Sequence, residues 1–289
     1  QTIYRTGSTS ELMQHLITAA KRGKEVTAIV ELMARFDEET NISWASKLEQ
    51  IGAHVVFGVV GNKTHAKMCL IIRKENGVLK RYCHLSTGNY HPKTAKIYTD
   101  FGYLTADKKI CAEVQQIFRQ LTGLGEAKKL KTIWQSPFSL HSNVIRAINR
   151  ETKNAKLGKK TKIIARMNSL VEIKTIDALY KASQAGVSIE LLIRGVCMLR
   201  PGVKNLSENI RVYSTVGRFL EHSRIYYFKN DGKDDLFLAS ADWMDRNFFR
   251  RVEIAFPITN TKLKNKILFE GLRIHFKDNS LCWKMRSDG

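Results

Sequence analysis

Thr64-His65-Ala66-Lys67 and Glu221-His222-Ser223-Arg224 are the two stretches on which the reading of this 289-residue chain turns. Each places a histidine, a small residue and a cation in front of an apolar run of strand length. Working outward from them, the same order of elements is found twice. In the first half the patterning predicts a strand over 3–5. A helix follows, with Leu12, Leu16, Ile17 and Ala20 on one face, Ser10 as its cap and Gly23 as its stop. A strand over 26–32 leads to Arg35, a helix over 42–51 follows, and a strand over 54–59 precedes the strand that His65 opens. A hairpin at Asn76-Gly77 returns the chain to Ser86-Thr87-Gly88-Asn89, and a helix over 107–121 closes the half.

The second half repeats this series. Strands are expected over 162–167, 187–193 (ending at Arg194) and 210–214, with a helix over 173–183. His222 opens a strand to 228, a turn at Asp231-Gly232 returns to 236–240, and a helix covers 262–276. From Arg35 to His65 is 30 residues, and from Arg194 to His222 is 28; His65 to Ser86 is 21, and His222 to Ser240 is 18. Strands alternating with helices imply an α/β fold with mixed sheets, in two tandem domains, 1–132 and 133–289. The charged stretch 123–131 is the expected linker, and the lysine-rich run 153–162 reads as a second loop that could guide a polyanion.

Lys and Arg total 48 against 27 acidic residues, a net charge of +21 that calls for a polyanionic partner or substrate. No apolar run reaches the ~18 residues of a membrane-spanning helix. The five cysteines are scattered and never spaced Cys-x-x-Cys, which suits a reducing cytoplasm and argues against zinc. The chain starts at Gln1 in an expected strand, with no signal-peptide layout, and reads as part of a longer protein. P-loop, dinucleotide-binding and Gly-x-Ser-x-Gly motifs are absent, so phosphate chemistry would fall to histidine and side-chain cations.

His65-Ala66-Lys67 and His222-Ser223-Arg224 supply that chemistry. Strand residues two apart share a face, so each imidazole is expected beside a positive charge. One imidazole can attack phosphorus while cations neutralise the equatorial oxygens, and the other can serve as acid or base. His15 and His275 read as partly exposed helix residues, His54 as structural at a strand start and His141 as near a helix start; His84 and His91 flank the Thr87-Gly88-Asn89 turn and could touch a substrate. Trp134 and Trp243 read as core.

Two His-x-cation motifs in two similar halves resemble the phospholipase D superfamily, in which they meet at an active site between the halves. The superfamily's Asp five residues beyond the cation is replaced here by Ile72 and Lys229. A narrower resemblance spans the chain. Ala34-Arg35-Phe36-Asp37-Glu38-Glu39, Thr64-His65-Ala66-Lys67, Thr87-Gly88-Asn89, Tyr98-Thr99-Asp100, Leu192-Ile193-Arg194-Gly195, Glu221-His222-Ser223-Arg224 and Ser240-Ala241-Asp242-Trp243-Met244 look like the two C-terminal catalytic domains of bacterial polyphosphate kinases.

That resemblance implies reversible transfer of the γ-phosphate of ATP to inorganic polyphosphate through a phosphohistidine. His65 matches the nucleophile and His222 the second active-site histidine. Tyr98 and Arg194 match nucleotide or phosphate contacts, with Lys67, Arg224 and Asn89 beside them. Arg5 and Arg35 match positions associated with Mg²⁺. A guanidinium has no lone pair for a metal, so these two are expected to grip phosphate oxygens that hold the ion. The family's N-terminal and helical domains are not in this chain. A homo-oligomer is expected, cytoplasmic or peripheral to the inner membrane. The competing readings are a phospholipase D-like phosphodiesterase and a non-catalytic polyanion-binding module. Sparse interleaving of aromatic and basic residues argues against a dedicated single-strand binder.

A nucleophilic imidazole needs its far nitrogen held, usually by a carboxylate. Asp100 lies 35 residues after His65 and Glu253 lies 31 after His222. We take Asp100 to orient His65 and Glu253 to orient His222. Asp100→Asn is predicted to slow phosphoenzyme formation by orders of magnitude; labelling at the wild-type rate would remove Asp100 from this role.

Overall fold

Short β-branched runs separated by amphipathic stretches build parallel sheet, because a parallel pair needs a long crossover that a helix supplies. The computed structural model describes residues 1–59, 61–126 and 129–289. It divides into Gln1–Ile133 with Arg250–Val252, and Trp134–Phe249 with Glu253–Gly289. Residues 127 and 128 of the expected linker lie outside the described residues.

The first unit begins with β1 (Thr2–Ile3), α1 (Glu11–Lys21), β2 (Thr27–Val30), α2 (Glu38–Gln50) and β3 (His54–Phe57). The three strands form a parallel sheet in that order. Ile3, Met13, Ala28, Val30, Trp44 and Leu48 form one buried cluster, so both helices seal against the strands. Ser10 caps α1 by accepting from the Met13 N–H at 3.4 Å, and Gly23, at φ 75°, ends it. The second helix begins four residues before the expected 42. Asp37, Glu38 and Glu39 favour a helix start, since acidic side chains complement the positive N-terminal end, but they carry no apolar periodicity.

Next come β4 (Lys63–Thr64), β5 (Lys67–Glu75), β6 (Val78–Ser86), α3 (Pro92–Ala95), β7 (Tyr98–Thr99), β8 (Gly102–Thr105) and α4 (Lys108–Leu121). The order β5-β6-β8 is antiparallel, and α4 packs on β5 and β6. Asn76 at φ 50° and Gly77 at φ 80° make the expected tight hairpin, a turn with both central residues left-handed.

The second unit contains β9 (Trp134–Ser136), α5 (Leu140–Lys156), β10 (Ile163–Met167), α6 (Ile173–Gln184), β11 (Ile189–Ile193), β12 (Ile210–Thr215), β13 (Leu220–Glu221) and β14 (Arg224–Phe228). Then follow β15 (Asp235–Ala239), α7 (Asp245–Phe249), β16 (Arg251–Pro257, whose first two residues belong to the first unit), α8 (Thr261–Leu268), α9 (Ile274–Lys277) and β17 (Cys282–Lys284). The sheet order is β17-β12-β11-β10-β14-β15-β16, with β9 on β16. The β10, β11 and β12 pairings are parallel and the others antiparallel, so the sheet is mixed as expected. Every residue of β10 and β14 is buried, and apart from Arg166 and Arg224 both are built of apolar and aromatic residues. Trp243 is buried in this core; Trp134 is partly buried and packs on Phe237 with ring centroids 3.9 Å apart.

Several expectations are corrected. The run 153–162 is not a free loop: it is helical to Lys156, and beyond it Lys159 and Lys162 pair with Asp231 and Glu190. Periodic Val144, Ala147, Ile148 and the buried Glu151 carry the helix into the lysines. The Asp231-Gly232 turn is wider than two residues, with Asn230, Asp231 and Asp234 all at positive φ. The last helix is interrupted by a π turn at Phe269–Arg273. Among the described residues, no helix is long and apolar enough to cross a membrane.

Because nothing lies within 4 Å of a Cβ built at Gly77, a substitution there tests backbone strain alone. Gly77→Ala is predicted to lower the free energy of unfolding by about 1 kcal/mol, read from urea denaturation, and Gly77→Asn by less.

Candidate functional site

Neither histidine is a strand residue, contrary to the expectation. His65 and Ala66 fill a two-residue gap between β4 and β5, and His222 and Ser223 fill the same gap between β13 and β14. In the first unit the cause is visible. The N–H groups of His65 and Ala66 both donate to the Val252 carbonyl, at 3.0 and 2.9 Å, instead of continuing a ladder. Residues 251 and 252 pair in parallel with β4. Glu31, buried at the end of β2, accepts from the Thr64 N–H at 2.7 Å and the Met33 N–H at 3.0 Å. Its carboxylate therefore holds the residue before His65. The sequence signal was an acid closing the apolar run Ala28-Ile29-Val30, which the pattern reading passed over.

The strand register aligns the two halves residue by residue. Lys67 faces Ser86 across β5 and β6, and Arg224 faces Ala239 across β14 and β15. The counterpart of Ser240 is thus Thr87, one residue beyond the Ser86 that spacing suggested. The backbone agrees: Thr87 N–H donates to the Phe101 carbonyl and Ser240 N–H to the Ile254 carbonyl. So Asp100 and Glu253 occupy equivalent positions, and each takes a hydroxyl hydrogen bond. Thr87 Oγ1 donates to Asp100 Oδ1 at 2.6 Å, and Ser240 Oγ donates to Glu253 Oε2. Glu253 also accepts from Asn247 Nδ2 at 2.6 Å and is fully buried. Gly88, the counterpart of Ala241, must be glycine because a methyl there would overlap the Asp100 carboxylate.

In the second unit Asp242 and Asn168 bind the cations together. Asp242 accepts from Arg224 Nε at 3.1 Å and Nη2 at 3.3 Å, and from the Asn168 N–H at 2.7 Å. Asn168 Nδ2 donates to Asp242 at 3.1 Å, while its Oδ1 accepts from Arg194 Nε. Arg224 Nη1 donates to the His222 carbonyl at 2.8 Å and lies 3.1 Å from the ring nitrogen Nε2. Three expected site residues, His222, Arg224 and Arg194, are therefore connected through one carboxylate and one amide. Asn168 was missed because nothing in the sequence marks a polar residue after an apolar strand as other than a turn. Burial pushes the Asp242 carboxyl up, but the Arg224 charge and the hydrogen bonds from Arg224 and Asn168 together hold it below the usual Asp range.

Other expected residues fall as follows. Arg5 pairs with Asp37 at 3.2 Å and donates to the Arg35 carbonyl at 2.9 Å, so the two arginines are neighbours. The Arg35 guanidinium lies 4.9 Å from the Phe36 ring centroid. Tyr98 and Asn89 are half-buried, and the Asn89 Oδ1 finds no hydrogen-bond donor among the described residues. His84 bonds Tyr90 at 2.9 Å, and His91 caps α3 by accepting from the Thr94 N–H at 3.1 Å, which gives both structural work. His141 lies in the first turn of α5 and contacts Glu172 at 3.1 Å. His54 is exposed rather than structural. Among the described residues, no cluster of three or more His, Cys, Asp or Glu could hold a metal ion.

Sequence comparison matches residues 133–289 to "Polyphosphate kinase C-terminal domain 2" and residues 1–127 to "Polyphosphate kinase C-terminal domain 1". Polyphosphate kinases of Paraburkholderia phytofirmans and Burkholderia ambifaria are each 60% identical over the whole chain. The chain spans 43% of the length of these curated relatives. The crystal structure of polyphosphate kinase from Porphyromonas gingivalis superposes with a TM-score of 0.91 at 37% identity, covering 99% of this chain and 44% of that one. A yeast tyrosyl-DNA phosphodiesterase variant shares the fold alone, with a TM-score of 0.51 at 10% identity, over 86% of this chain and 80% of that one.

Asp242→Asn removes the carboxylate that pairs with the buried Arg224 and is predicted to cost about 3–5 kcal/mol of stability, measured by denaturant unfolding. The folded pKa of Asp242 is depressed. Its contribution is therefore complete above the unfolded Asp value of about 3.9 and is lost as pH falls through the lower folded value. Acid unfolding of the Asn variant should lack that step.

Proposed function

Because the chain belongs to the polyphosphate kinase family, we propose that it is a catalytic region moving the γ-phosphate of ATP to and from inorganic polyphosphate through a phosphohistidine. The observation that carries this reading is the doubled arrangement: His65, Lys67, Thr87 and Asp100 in one unit, His222, Arg224, Ser240 and Glu253 in the other. In the forward direction a ring nitrogen of His65 attacks the γ-phosphorus. An N–P bond forms, the bridging P–O bond breaks, and ADP leaves with that electron pair. A terminal oxygen of polyphosphate then attacks the phosphohistidine, and the N–P bond breaks to restore His65.

The cations suit the charge that develops. Arg224 and Arg194 are permanently charged and held by hydrogen bonds, so they meet equatorial phosphoryl oxygens with little reorganisation. His222 supplies the second imidazole, as acid or base at the leaving or attacking oxygen. Asp100 and Glu253, each already receiving one hydroxyl, are the carboxylates that orient the two imidazoles. Tyr98 contacts the nucleotide, and Asn89 offers its carbonyl oxygen as an acceptor. Arg5 and Arg35 grip phosphate oxygens, and Mg²⁺ comes with the nucleotide; their guanidinium groups cannot ligate it. The remaining part of the family's length supplies further nucleotide contacts, and a homo-oligomer in the cytoplasm is the expected setting.

The test is incubation with γ-labelled ATP and Mg²⁺, of this chain and in parallel of a full-length relative carrying the same substitutions. An acid-labile, base-stable label that is absent in His65→Ala and passes to added polyphosphate is expected. Label that persists in His65→Ala, or none with any phosphate donor in either protein, would overturn the reading.

A further inference from the structure

An imidazole turns about its last side-chain torsion with two broad, nearly equivalent wells, half a turn apart. A half-turn keeps the plane but puts a ring carbon where each nitrogen stood, and smaller swings tilt the plane and turn the nitrogen away. A histidine nucleophile therefore needs its ring plane fixed as well as its far nitrogen bonded. In the first unit one side chain stands against that plane. The Tyr4 ring meets His65 edge to face, with centroids 4.6 Å apart and planes at 86°. This is the favoured perpendicular geometry of an aromatic pair.

Tyr4 is itself tied to the histidine segment. It follows β1, whose Thr2 hydroxyl donates to the Ala66 carbonyl at 2.7 Å and accepts from the Met68 N–H at 2.9 Å. Asn41 Nδ2 donates to the Tyr4 carbonyl at 2.9 Å. The backbones carrying the two rings are thus joined directly. The Lys67 ammonium lies 5.3 Å from the centroid of the same Tyr4 ring, within cation–π range. The Tyr4 hydroxyl makes no hydrogen bond among the described residues, so the ring rather than the hydroxyl makes these contacts.

We infer that Tyr4 is a positioning residue: its ring sets the plane of the His65 imidazole and holds the Lys67 ammonium beside it. The inference rests on the phosphohistidine reading for its consequence, though not for its geometry. Without the ring, the imidazole swings out of this plane, and its nitrogen faces phosphorus only part of the time. The folded protein then binds nucleotide as before but reacts more slowly.

The experiment compares Tyr4→Leu and Tyr4→Phe in single-turnover phosphorylation by γ-labelled ATP, reading the rate constant separately from the fraction of protein labelled. Tyr4→Leu is expected to lower the rate constant on the order of tenfold, with the labelled fraction and the KM for ATP unchanged. Tyr4→Phe is expected to restore the rate. An unchanged rate constant in Tyr4→Leu, a loss confined to the labelled fraction, or a Tyr4→Phe as slow as Tyr4→Leu would each overturn the inference. Nitrogen-15 NMR of the His65 ring gives a readout without turnover. One dominant tautomer in wild type and Tyr4→Phe, becoming mixed in Tyr4→Leu, is expected, and an unaltered ring signal in Tyr4→Leu refutes it. Absence of label in the wild type would count against the phosphohistidine and leave the NMR comparison to decide on Tyr4.

Discussion

The second unit depends on the pairing of Asp242 with Arg224, two charges buried together at the end of the β14–β15 ladder. Taking either from water alone costs several kcal/mol, and their mutual attraction offsets this only when the remaining hydrogen-bonding capacity is also filled. Here it is filled: Asn168 donates twice to the carboxylate, and Nη1 of the guanidinium donates to the His222 carbonyl. The pair can exist only if β10, β14 and β15 stand in one register. In these strands, buried on both faces, a slip of one residue would carry Arg224 to the opposite face of the sheet, away from Asp242. The core thus fixes where a permanent positive charge sits beside a histidine.

A second constraint recurs in both units. A hydroxyl at the end of the second hairpin strand donates to a carboxylate on the following segment. That bond uses one lone pair of the acid and leaves others for a partner such as an imidazole. In the second unit it also fixes Glu253 in a buried setting, where a mobile carboxylate would be costly. The small residue after the hydroxyl reflects how closely the acid approaches. Alanine suffices in the second unit; in the first, Asp100 lies so near that only Gly88 fits.

Much of this was legible in the sequence for identifiable reasons. Asn76-Gly77 announced a hairpin because both residues tolerate left-handed backbone. The apolar runs of β10 and β14 announced buried strands, and the doubled His-x-cation spacing announced the repeat. What escaped was set by contacts distant in the chain. The gap that holds His65 depends on a carbonyl at Val252, 187 residues away, and on the Glu31 carboxylate, 34 residues before it. The one-residue error between Ser86 and Thr87 arose because loops of unequal length hide register, which only the ladder resolves. The helical start of the lysine-rich run was hidden by its charge, although Glu151 on its inner face is buried.

The two halves have diverged at paired positions, and that restricts the paths open to them. Lys67 stands where Arg224 stands, and Asn89 where Asp242 stands. A lysine to arginine change at position 67 alone would bring in a rigid, permanently charged fork opposite a neutral amide. An asparagine to aspartate change at position 89 alone would bring in a half-buried anion without the guanidinium fork that Arg224 offers Asp242. Each single step is disfavoured, while the double step reproduces an arrangement that the second half already uses. Among homologues, positions 67 and 89 are therefore expected to covary, as are 224 and 242. A chimaera that grafts one half's motif into the other should be epistatic: harmful one residue at a time, tolerated as a pair.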